Sequence, residues 1–213
     1  MSGAQQAGAS LEDGVRRVAD VVVAALGLLV TSPLLLAAAL AIKLDSRGPV
    51  LFRQRRVGLG GVDFEILKLR TMRQDAEAHG GQLTVGADPR VTRVGAFLRA
   101  WKLDELPQLI NVVRGDMALV GPRPEVPRYV ALYTPEQRKV LMVRPGITDP
   151  ASVEFRNESE LMAQQTDPER YYREVLLPRK LELNLEYLAR RSLSADLGVL
   201  LATARAVLLG RGS

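Results

Sequence analysis

An uncharged apolar segment near the N-terminus constrains this chain more than any other feature of its sequence. The segment runs from Val21 to Ile42 and contains 22 residues without a charge. A helix of that length rises about 33 Å, and the hydrocarbon core of a bilayer is about 30 Å thick. No small-residue cleavage site follows it, so we interpret it as a membrane segment and not as a secretory signal peptide.

Two features of this segment argue against a simple transmembrane span. Ser32 and Pro33 lie at its centre, and proline removes one helical hydrogen bond and clashes with the preceding turn. The positive-inside rule draws basic flanks to the cytoplasm, and both flanks are basic: Arg16, Arg17, Lys43 and Arg47. We therefore expect a re-entrant membrane helix over residues 16–47 that bends at Ser32 and Pro33. A kinked bitopic span and a buried soluble helix are the alternatives.

The freed backbone groups around Pro33 need hydrogen-bond partners, because hydrocarbon supplies none. We expect the hydroxyls of Thr31 and Ser32 to provide them. The small polar residues before the segment predict a flexible N-terminus over residues 1–15.

Composition limits the chemistry that the chain can perform. Of its 213 residues, 47% are hydrophobic and 25% are charged, which is typical of a folded globular core. It contains no cysteine, which excludes disulfides, thiolate metal sites and a cysteine nucleophile. Its single histidine, His79, excludes a multi-histidine site, and we interpret it as a solvated loop residue. The serines therefore lack a histidine base for a hydrolase triad.

The hydrophobic periodicity predicts a helix-rich α+β fold with one small sheet. A glycine-rich turn at residues 58–61 predicts a short β-hairpin, and Thr134 and Gln137 form a capping-box pattern. The predicted strands are 50–57 and 63–72, and the predicted helices are 92–100, 103–113, 134–143, 167–191 with an interruption at Pro178, and an amphipathic or apolar tail at 194–209. We expect residues 48–213 to form a cytosolic catalytic domain with interfacial helices.

Positive charge is concentrated directly after the apolar segment. Residues 53–102 contain ten Lys and Arg but only five Asp and Glu, within a chain of net charge +5. A phosphate-binding surface and a belt that binds anionic lipid explain this excess equally well. Nucleic-acid binding is the weaker choice, because aromatic residues make up 5% of the chain and no recognition motif is present.

Two adjacent carboxylates, Asp104 and Glu105, follow the basic region. On a helix they point about 100° apart, so they cannot face each other as a dyad. Near a helix start they can perform two different tasks at one site, and a divalent cation would relieve their repulsion. The alternative is that they only stabilise the helix dipole.

Arg123 lies between Pro122 and Pro124, which fix the backbone on both sides of it. A preorganised guanidinium suits bidentate binding of a phosphate. The alternative is a rigid surface turn.

Several ordered segments together resemble one family, the bacterial sugar transferases, which are the monotopic phosphoglycosyl transferases of polyprenol-phosphate pathways. The resemblance extends from about residue 16 to the C-terminus. It rests on the segments DVVVAALGLLVTSPLLLAAALAIKLDSRGPVLFRQRRVG, FEILKLRTM, DPRVTRVGAFLRAWKLDELPQLINVVRGDMALVGPRPE and VRPGIT.

The resemblance implies roles for individual residues. The re-entrant helix bends at Ser32 and Pro33, and the catalytic pair falls on Asp104 and Glu105, with Asp104 also binding Mg²⁺. The substrate-binding positions fall on Lys68, Arg90 and Arg123.

The resemblance also implies the reaction. Such enzymes move a phospho-sugar from a UDP-sugar to polyprenol (undecaprenyl) phosphate and release UMP, at the cytoplasmic face of the bacterial inner membrane. Asp104 attacks the β-phosphate, giving a covalent intermediate and ping-pong kinetics. The expected partners are the UDP-sugar, polyprenol phosphate and anionic lipid, with no nucleic acid, and a homodimer is left open. A catalytically inactive membrane scaffold of the same fold is the alternative function.

One departure concerns the residues after Thr148. Many members read Gly-Ile-Thr-Gly, whereas Asp149 and Pro150 follow here, and the next segment, ASVEFRNE up to Glu158, also differs from the pattern of the family. The departure bears on which sugar is used, not on the reaction. The chain otherwise resembles the minimal catalytic form of the family.

Overall fold

The computed structural model describes residues 3–73, 83, 85, 86 and 88–209, with side chains from residue 12 to residue 207. His79, the predicted loop residue, lies outside the described residues. The described part is a helix-rich α+β structure, as the sequence predicts.

The first helix, α1, extends from Gly3 to Asp45 and is helical at every residue, Pro33 included. Its start lies well before the predicted boundary at residue 16. The helix is therefore not broken at Ser32 and Pro33, where we predicted a bend. Because Pro33 has no N–H, the carbonyl of Leu29 loses its usual donor. The Ser32 hydroxyl donates to that carbonyl over 2.8 Å, and the Thr31 hydroxyl donates to the Gly27 carbonyl over 2.6 Å. The prediction that hydroxyls cover freed backbone groups is confirmed for Ser32, whereas the Gly27 carbonyl bonded by Thr31 is not one that Pro33 frees.

The beginning of α1 is bonded to the rest of the chain. Arg16 forms an ion pair with Asp196 over 2.8 Å. The guanidinium of Arg17 donates to the carbonyls of Val112 and Val113 over 2.7 and 3.2 Å. Two consecutive carbonyls and one carboxylate, all far along the chain, therefore hold this end of the helix.

One face of α1 continues into the hydrophobic core along its length. Ala24, Ala38 and Ile42 are buried on this face. They pack with core residues of the later elements: Ile66, Leu69, Leu98, Val112 and Met117. Other positions are exposed, with Leu29 at 71% and Leu36 at 72%. Within the described residues, α1 is the one helix long and apolar enough to cross a membrane.

A β-hairpin follows α1, as predicted. Strand β1 (Leu51–Val57) pairs antiparallel with β2 (Asp63–Leu69). The connection contains Gly60 at φ 67°, a left-handed conformation that favours glycine. In this register Lys68 of β2 lies opposite Phe52 of β1.

A second sheet makes the expectation of one small sheet wrong. Strand β3 (Ala118–Val120) pairs parallel with β4 (Gly146–Thr148). Strands of three residues are too short for an alternating pattern to be visible in the sequence. Glycine permits this pairing, since a Cβ on Gly146 would lie 2.1 Å from the amide nitrogen of Gly121.

The remaining elements are helical. The α-helices are α2 (Arg93–Ala100), α3 (Gln108–Arg114), α4 (Pro127–Val130), α5 (Pro150–Glu154), α6 (Glu158–Ala163), α7 (Pro168–Tyr171), α8 (Leu177–Ala189) and α9 (Leu193–Leu209). Three 3₁₀ turns, Leu59–Gly61 in the hairpin connection, Leu103–Glu105 and Gln137–Met142, and a π turn, Tyr172–Leu176, are also described.

Three of these elements refine the predicted helices. The predicted helix 103–113 is divided into the 3₁₀ turn and α3, with Pro107 between them. Thr134 and Gln137 form the reciprocal capping box over 2.9 and 3.2 Å, but a 3₁₀ turn follows instead of an α-helix. The interruption near Pro178 is the π turn that precedes it, where the missing N–H of proline disturbs α-helical bonding.

Candidate active site

Asp104 lies in the 3₁₀ turn between α2 and α3, almost fully buried at 7% exposure. The preceding Lys102 has φ 56°, a left-handed conformation that costs energy for a residue with a Cβ. The Oδ1 atom of Asp104 is buried and has no hydrogen-bond partner among the described residues. Burial raises the pKa of Asp104, and the charge of Lys68 opposes this shift. Asp104 is thus a desolvated carboxylate with one oxygen that accepts no hydrogen bond from the described residues.

Glu105 is held between two cations. The ammonium of Lys68 lies 3.0 Å from its Oε1, and Nη1 of Arg123 donates to its Oε2 over 3.1 Å. Nη2 of Arg123 also donates to Oε1. Burial alone would raise the pKa of Glu105, but Arg123 and Lys68 outweigh it and hold the pKa well below its ordinary value. A carboxylate this acidic is a fixed counter-ion and a poor general base at neutral pH.

Lys68 owes its position to a buried amide on α3. Asn111 accepts a hydrogen bond from the backbone N–H of Leu67 over 3.0 Å and donates to the carbonyl of Glu65 over 2.8 Å. These bonds join β2 to α3, and so place Lys68 beside Glu105. Burial lowers the pKa of Lys68, while the charge of Glu105 opposes this shift.

Arg123 lies in the extended segment between β3 and α4. Its backbone N–H donates to the carboxylate of Asp149 over 3.1 Å, and its Nη1 donates to the carbonyl of Ile147 over 3.2 Å. Asp149 is fully buried and also accepts from the Ser152 N–H over 2.6 Å and the Asn184 amide over 2.7 Å. The arginine is therefore fixed through its backbone and through its side chain.

Arg90 is the predicted site residue that does not join this group. Its guanidinium forms an ion pair with Asp88 over 2.6 Å and donates to the carbonyl of Leu83 over 3.1 Å. These contacts organise the segment before α2. A contact of Arg90 with substrate remains a prediction.

A cavity of about 450 Å³ opens beside Glu105 and Arg123, which both line it. Asp104 is not among its lining residues. Apolar side chains form part of the wall, and a second set of charged and polar side chains forms another: Arg56, Glu125, Glu158, Tyr172 and Lys180. Glu158 ends the segment whose departure from the family pattern bears on the choice of sugar, and no role is predicted from the sequence for the other four residues.

The sequence does not predict three residues that the structure places at the site: Asp149, Asn111 and Lys180. Asp149 is visible in the sequence only as a departure from the family pattern. Asn111 lies between Ile110 and Val112, and a polar residue among apolar helix residues is the sequence pattern that could have indicated it.

The donor set bears on Mg²⁺ binding. Within the described ranges, no three His, Asp or Glu side chains come together as a metal cluster. Mg²⁺ usually binds through one or two carboxylates together with substrate phosphates and water. The unpartnered oxygen of Asp104 therefore fits a cation that is shared with a phosphorylated substrate.

Comparison with known proteins shows the family. The model of a family described as bacterial sugar transferase matches residues 11–210. The chain belongs to the bacterial sugar transferase family.

Individual relatives refine the comparison. The chain is 44% identical over 197 residues to UDP-glucose:undecaprenyl-phosphate glucose-1-phosphate transferase of Caulobacter vibrioides, covering 91% of this chain and 69% of that protein. It is 40% identical to UDP-N-acetylgalactosamine-undecaprenyl-phosphate N-acetylgalactosaminephosphotransferase of Aeromonas hydrophila, covering 93% of this chain but 45% of that protein. It is 36% identical to the exopolysaccharide production protein ExoY of Rhizobium meliloti, covering 93% of this chain and 87% of that protein. Relatives of different total length thus share the region that this chain contains.

Proposed function

We propose that this protein transfers a sugar 1-phosphate from a UDP-sugar to undecaprenyl phosphate and releases UMP. The observation that carries the proposal is the group of Lys68, Glu105 and Arg123 beside the buried, partly unpartnered carboxylate of Asp104. The names of the relatives from Caulobacter vibrioides and Aeromonas hydrophila support the substrate classes. No observation favours the alternative of an inactive scaffold.

The proposed reaction proceeds through two displacements at the same phosphorus atom. An oxygen of Asp104 attacks the β-phosphorus, the bond from that phosphorus to the bridging oxygen breaks, and UMP leaves with the bonding electrons. An oxygen of undecaprenyl phosphate then attacks the phosphorus of the acyl phosphate, and the carboxylate of Asp104 is regenerated. Both attacking groups are already ionised, so neither step needs a base to remove a proton.

The cationic side chains are proposed to neutralise the negative charge of the substrate's phosphates. Phosphoryl transfer depends mainly on positioning and on neutralising phosphate charge. Arg123 and Lys68 are assigned to the diphosphate, while Glu105 keeps both cations in place before the substrate binds. Arg123 suits this role because its backbone is held by Asp149.

Mg²⁺ is the proposed cofactor, with Asp104 as its protein ligand. When bound, it supplies additional neutralisation of the phosphate oxygens. Glu105 is not expected to bind this ion, because both of its carboxylate oxygens already accept hydrogen bonds from cations.

The membrane association is proposed to be monotopic, with both ends of α1 at the cytoplasmic face. The contacts of α1 support this topology, because Arg17 near its start and Ile42 near its end both touch the same catalytic domain. A helix that left the domain to cross a bilayer would separate these two contacts. Exposed arginines near the end of the apolar segment, Arg47, Arg73 and Arg93, line one surface pocket and suit anionic headgroups.

The test is UMP release from UDP-sugars with Mg²⁺, with and without undecaprenyl phosphate, combined with intact-mass measurement. Wild-type protein should release UMP before acceptor is added and should gain the mass of a phospho-sugar on Asp104. Asp104→Asn should lose both signals, because an amide is a poor nucleophile. Glu105→Gln should be slower but should retain the adduct. An adduct on Glu105, or UMP release only when both substrates are present, would contradict the covalent mechanism.

A further inference from the structure

A buried charged group lies in the wall of the cavity, apart from the contacts of Asp104 and Glu105. We call it the lysine cluster, and it consists of Glu125, Glu158, Tyr172 and Lys180. The ammonium of Lys180 lies 2.8 Å from Oε2 of Glu158 and 3.9 Å from Oε1 of Glu125. The hydroxyl of Tyr172 donates to Oε1 of Glu125. Burial, reinforced by the charge of Glu125, raises the pKa of Tyr172 well above its ordinary value, so it stays a donor.

The lysine cluster retains unused hydrogen-bonding capacity. An ammonium has three donors, and that of Lys180 has one hydrogen-bond partner among the described residues, Glu158. Oε1 of Glu158 accepts no hydrogen bond from the described residues, and its side chain keeps 26% exposure. The hydroxyl of Ser152, also in the cavity wall, is buried without a hydrogen-bond partner in the described chain. Donors and acceptors left open in this way suit a ligand with several hydroxyls.

The cluster is electrostatically connected to the phosphate-binding side chains. Glu105 has the largest effect in raising the pKa of Arg123, and the charge of Glu158 adds to it. Arg123 and Glu158 line the same cavity. A ligand held by Arg123 through its phosphate would therefore share this cavity with Glu158 and Lys180, which lie in its wall.

We infer that the lysine cluster and Ser152 bind the hydroxyl groups of the sugar in the UDP-sugar and select which sugar is transferred. This inference rests on the proposed function. In the proposed reaction UMP leaves in the first displacement, whereas the phospho-sugar stays on the enzyme until the second displacement transfers it to undecaprenyl phosphate. The cavity that Glu105 and the lysine cluster line is therefore suited to hold the phospho-sugar. A site that hydrogen-bonds a hydroxyl discriminates strongly against a substrate that lacks it or presents it differently.

The test compares donor selectivity among UDP-glucose, UDP-galactose, UDP-N-acetylglucosamine and UDP-N-acetylgalactosamine. The variants are Glu158→Gln, Ser152→Ala, Lys180→Met and the conservative Lys180→Arg. Lys139→Met is the matched control, because Lys139 also pairs with a glutamate, Glu136, but is exposed and does not line the cavity. For each variant, kcat/KM with every donor, the inhibition constant of UMP and the Tm are measured.

We expect Glu158→Gln and Lys180→Met to change the ratio of kcat/KM between the best and the poorest donor by about tenfold or more. The inhibition constant of UMP should stay within twofold, and Lys180→Arg should retain part of the selectivity. The control should change neither quantity. Because Glu158 and Ser152 are only partly buried residues, their variants decide the question even if Lys180→Met does not fold.

Two results would overturn the inference. An equal loss of kcat/KM with all donors would show that the cluster is structural, and a parallel weakening of UMP inhibition would assign it to the nucleotide. If the wild type releases UMP from none of the donors, the proposed function fails instead, which is a different outcome.

Discussion

The backbone N–H of Arg123 donates to the buried carboxylate of Asp149 across 3.1 Å, although 26 residues separate them. Asp149 also begins α5 and accepts from Asn184 of α8. One carboxylate therefore fixes the segment that carries the phosphate-binding arginine to two helices. The residue by which this chain departs from the family pattern is part of the scaffold of the site.

Asp149→Ala should lower both stability and activity. Losing hydrogen bonds to a buried carboxylate costs about 1.5–3 kcal/mol, which lowers the Tm by roughly 3–12 °C in a chain of this size. Activity should fall even at temperatures where the variant is folded, because Arg123 loses its backbone anchor. Thermal unfolding followed by circular dichroism and the UMP-release rate at 15 °C measure the two effects.

Asp167→Ala is the control for this prediction. Asp167 caps α7 in the same way, by accepting from the Arg170 N–H over 3.0 Å, but that bond is exposed. Its loss should cost about 1 kcal/mol and leave kcat/KM unchanged. Equal activity losses in the two variants would mean that Asp149 acts only as a helix cap.

Arg123→Ala should reduce kcat/KM by roughly tenfold to a hundredfold, since a hydrogen bond to a charged group contributes about 1.5–3 kcal/mol. The same change should let the pKa of Glu105 rise, because Arg123 is the main cation that lowers it. Lys68→Ala should weaken the reaction by a comparable factor.

The double variant Arg123→Ala with Glu105→Gln should lose less activity than the two single losses predict together. Residues in one ion-pair network are not additive, and removing both leaves no unpaired buried charge. Steady-state kinetics of the four proteins give the coupling. Activity of Arg123→Ala within twofold of the wild type would instead make the proline-flanked arginine a rigid turn.

The pH dependence of kcat/KM should show two displaced limbs. Because the pKa of Asp104 is raised, its nucleophilic carboxylate is lost, as pH falls, at a higher pH than for an ordinary aspartate. Because the pKa of Lys68 is lowered, its charge is lost, as pH rises, at a lower pH than for an ordinary lysine.

Lys68→Arg separates the two limbs. Arginine remains protonated far above the titration of lysine, so this variant should move the alkaline limb upward and leave the acid limb in place. A pH–rate profile of both proteins from pH 4 to pH 10 measures this. If the alkaline limb is unchanged in Lys68→Arg, another group titrates there.

Both ends of α1 should be labelled from the cytoplasmic side of the membrane. The chain contains no cysteine, so single cysteines introduced at Gln5 and at Leu44 report their own exposure. Leu44 is 80% exposed and accepts a label without disturbing the core. Periplasmic labelling at residue 5 would rule out the monotopic topology, and labelling at residue 44 from the cytoplasm is the internal control.

The parts of the fold that were predictable are those encoded by local chemistry. The β-hairpin follows from its glycine turn, the capping box at Thr134 from two side chains three residues apart, and the hydroxyl bonds beside Pro33 from the donor that proline lacks. These features depend on neighbours in the chain, so a single sequence contains the information for them.

The parts that escaped prediction depend on distant residues. The β3–β4 pair joins segments 28 residues apart through strands too short to show a pattern. For the candidate site, the sequence pointed to Asp104, Glu105, Lys68 and Arg123, but their ion pairs and the acidity of Glu105 follow only from the folded arrangement. The family resemblance also predicts that Arg90 binds substrate, but in the structure Arg90 forms an ion pair with Asp88.

The face of α1 that enters the core has a practical consequence for anyone preparing this protein. Deleting the apolar helix to obtain a soluble catalytic fragment would uncover Ile66, Leu69, Leu98, Val112 and Met117, which pack against Ala24, Ala38 and Ile42. A truncated chain would expose new apolar surface next to the strand that carries Lys68, and we expect it to aggregate. The apolar helix is also part of the core of the domain, so detergents or nanodiscs must be chosen to preserve the domain itself as well as to keep it in solution.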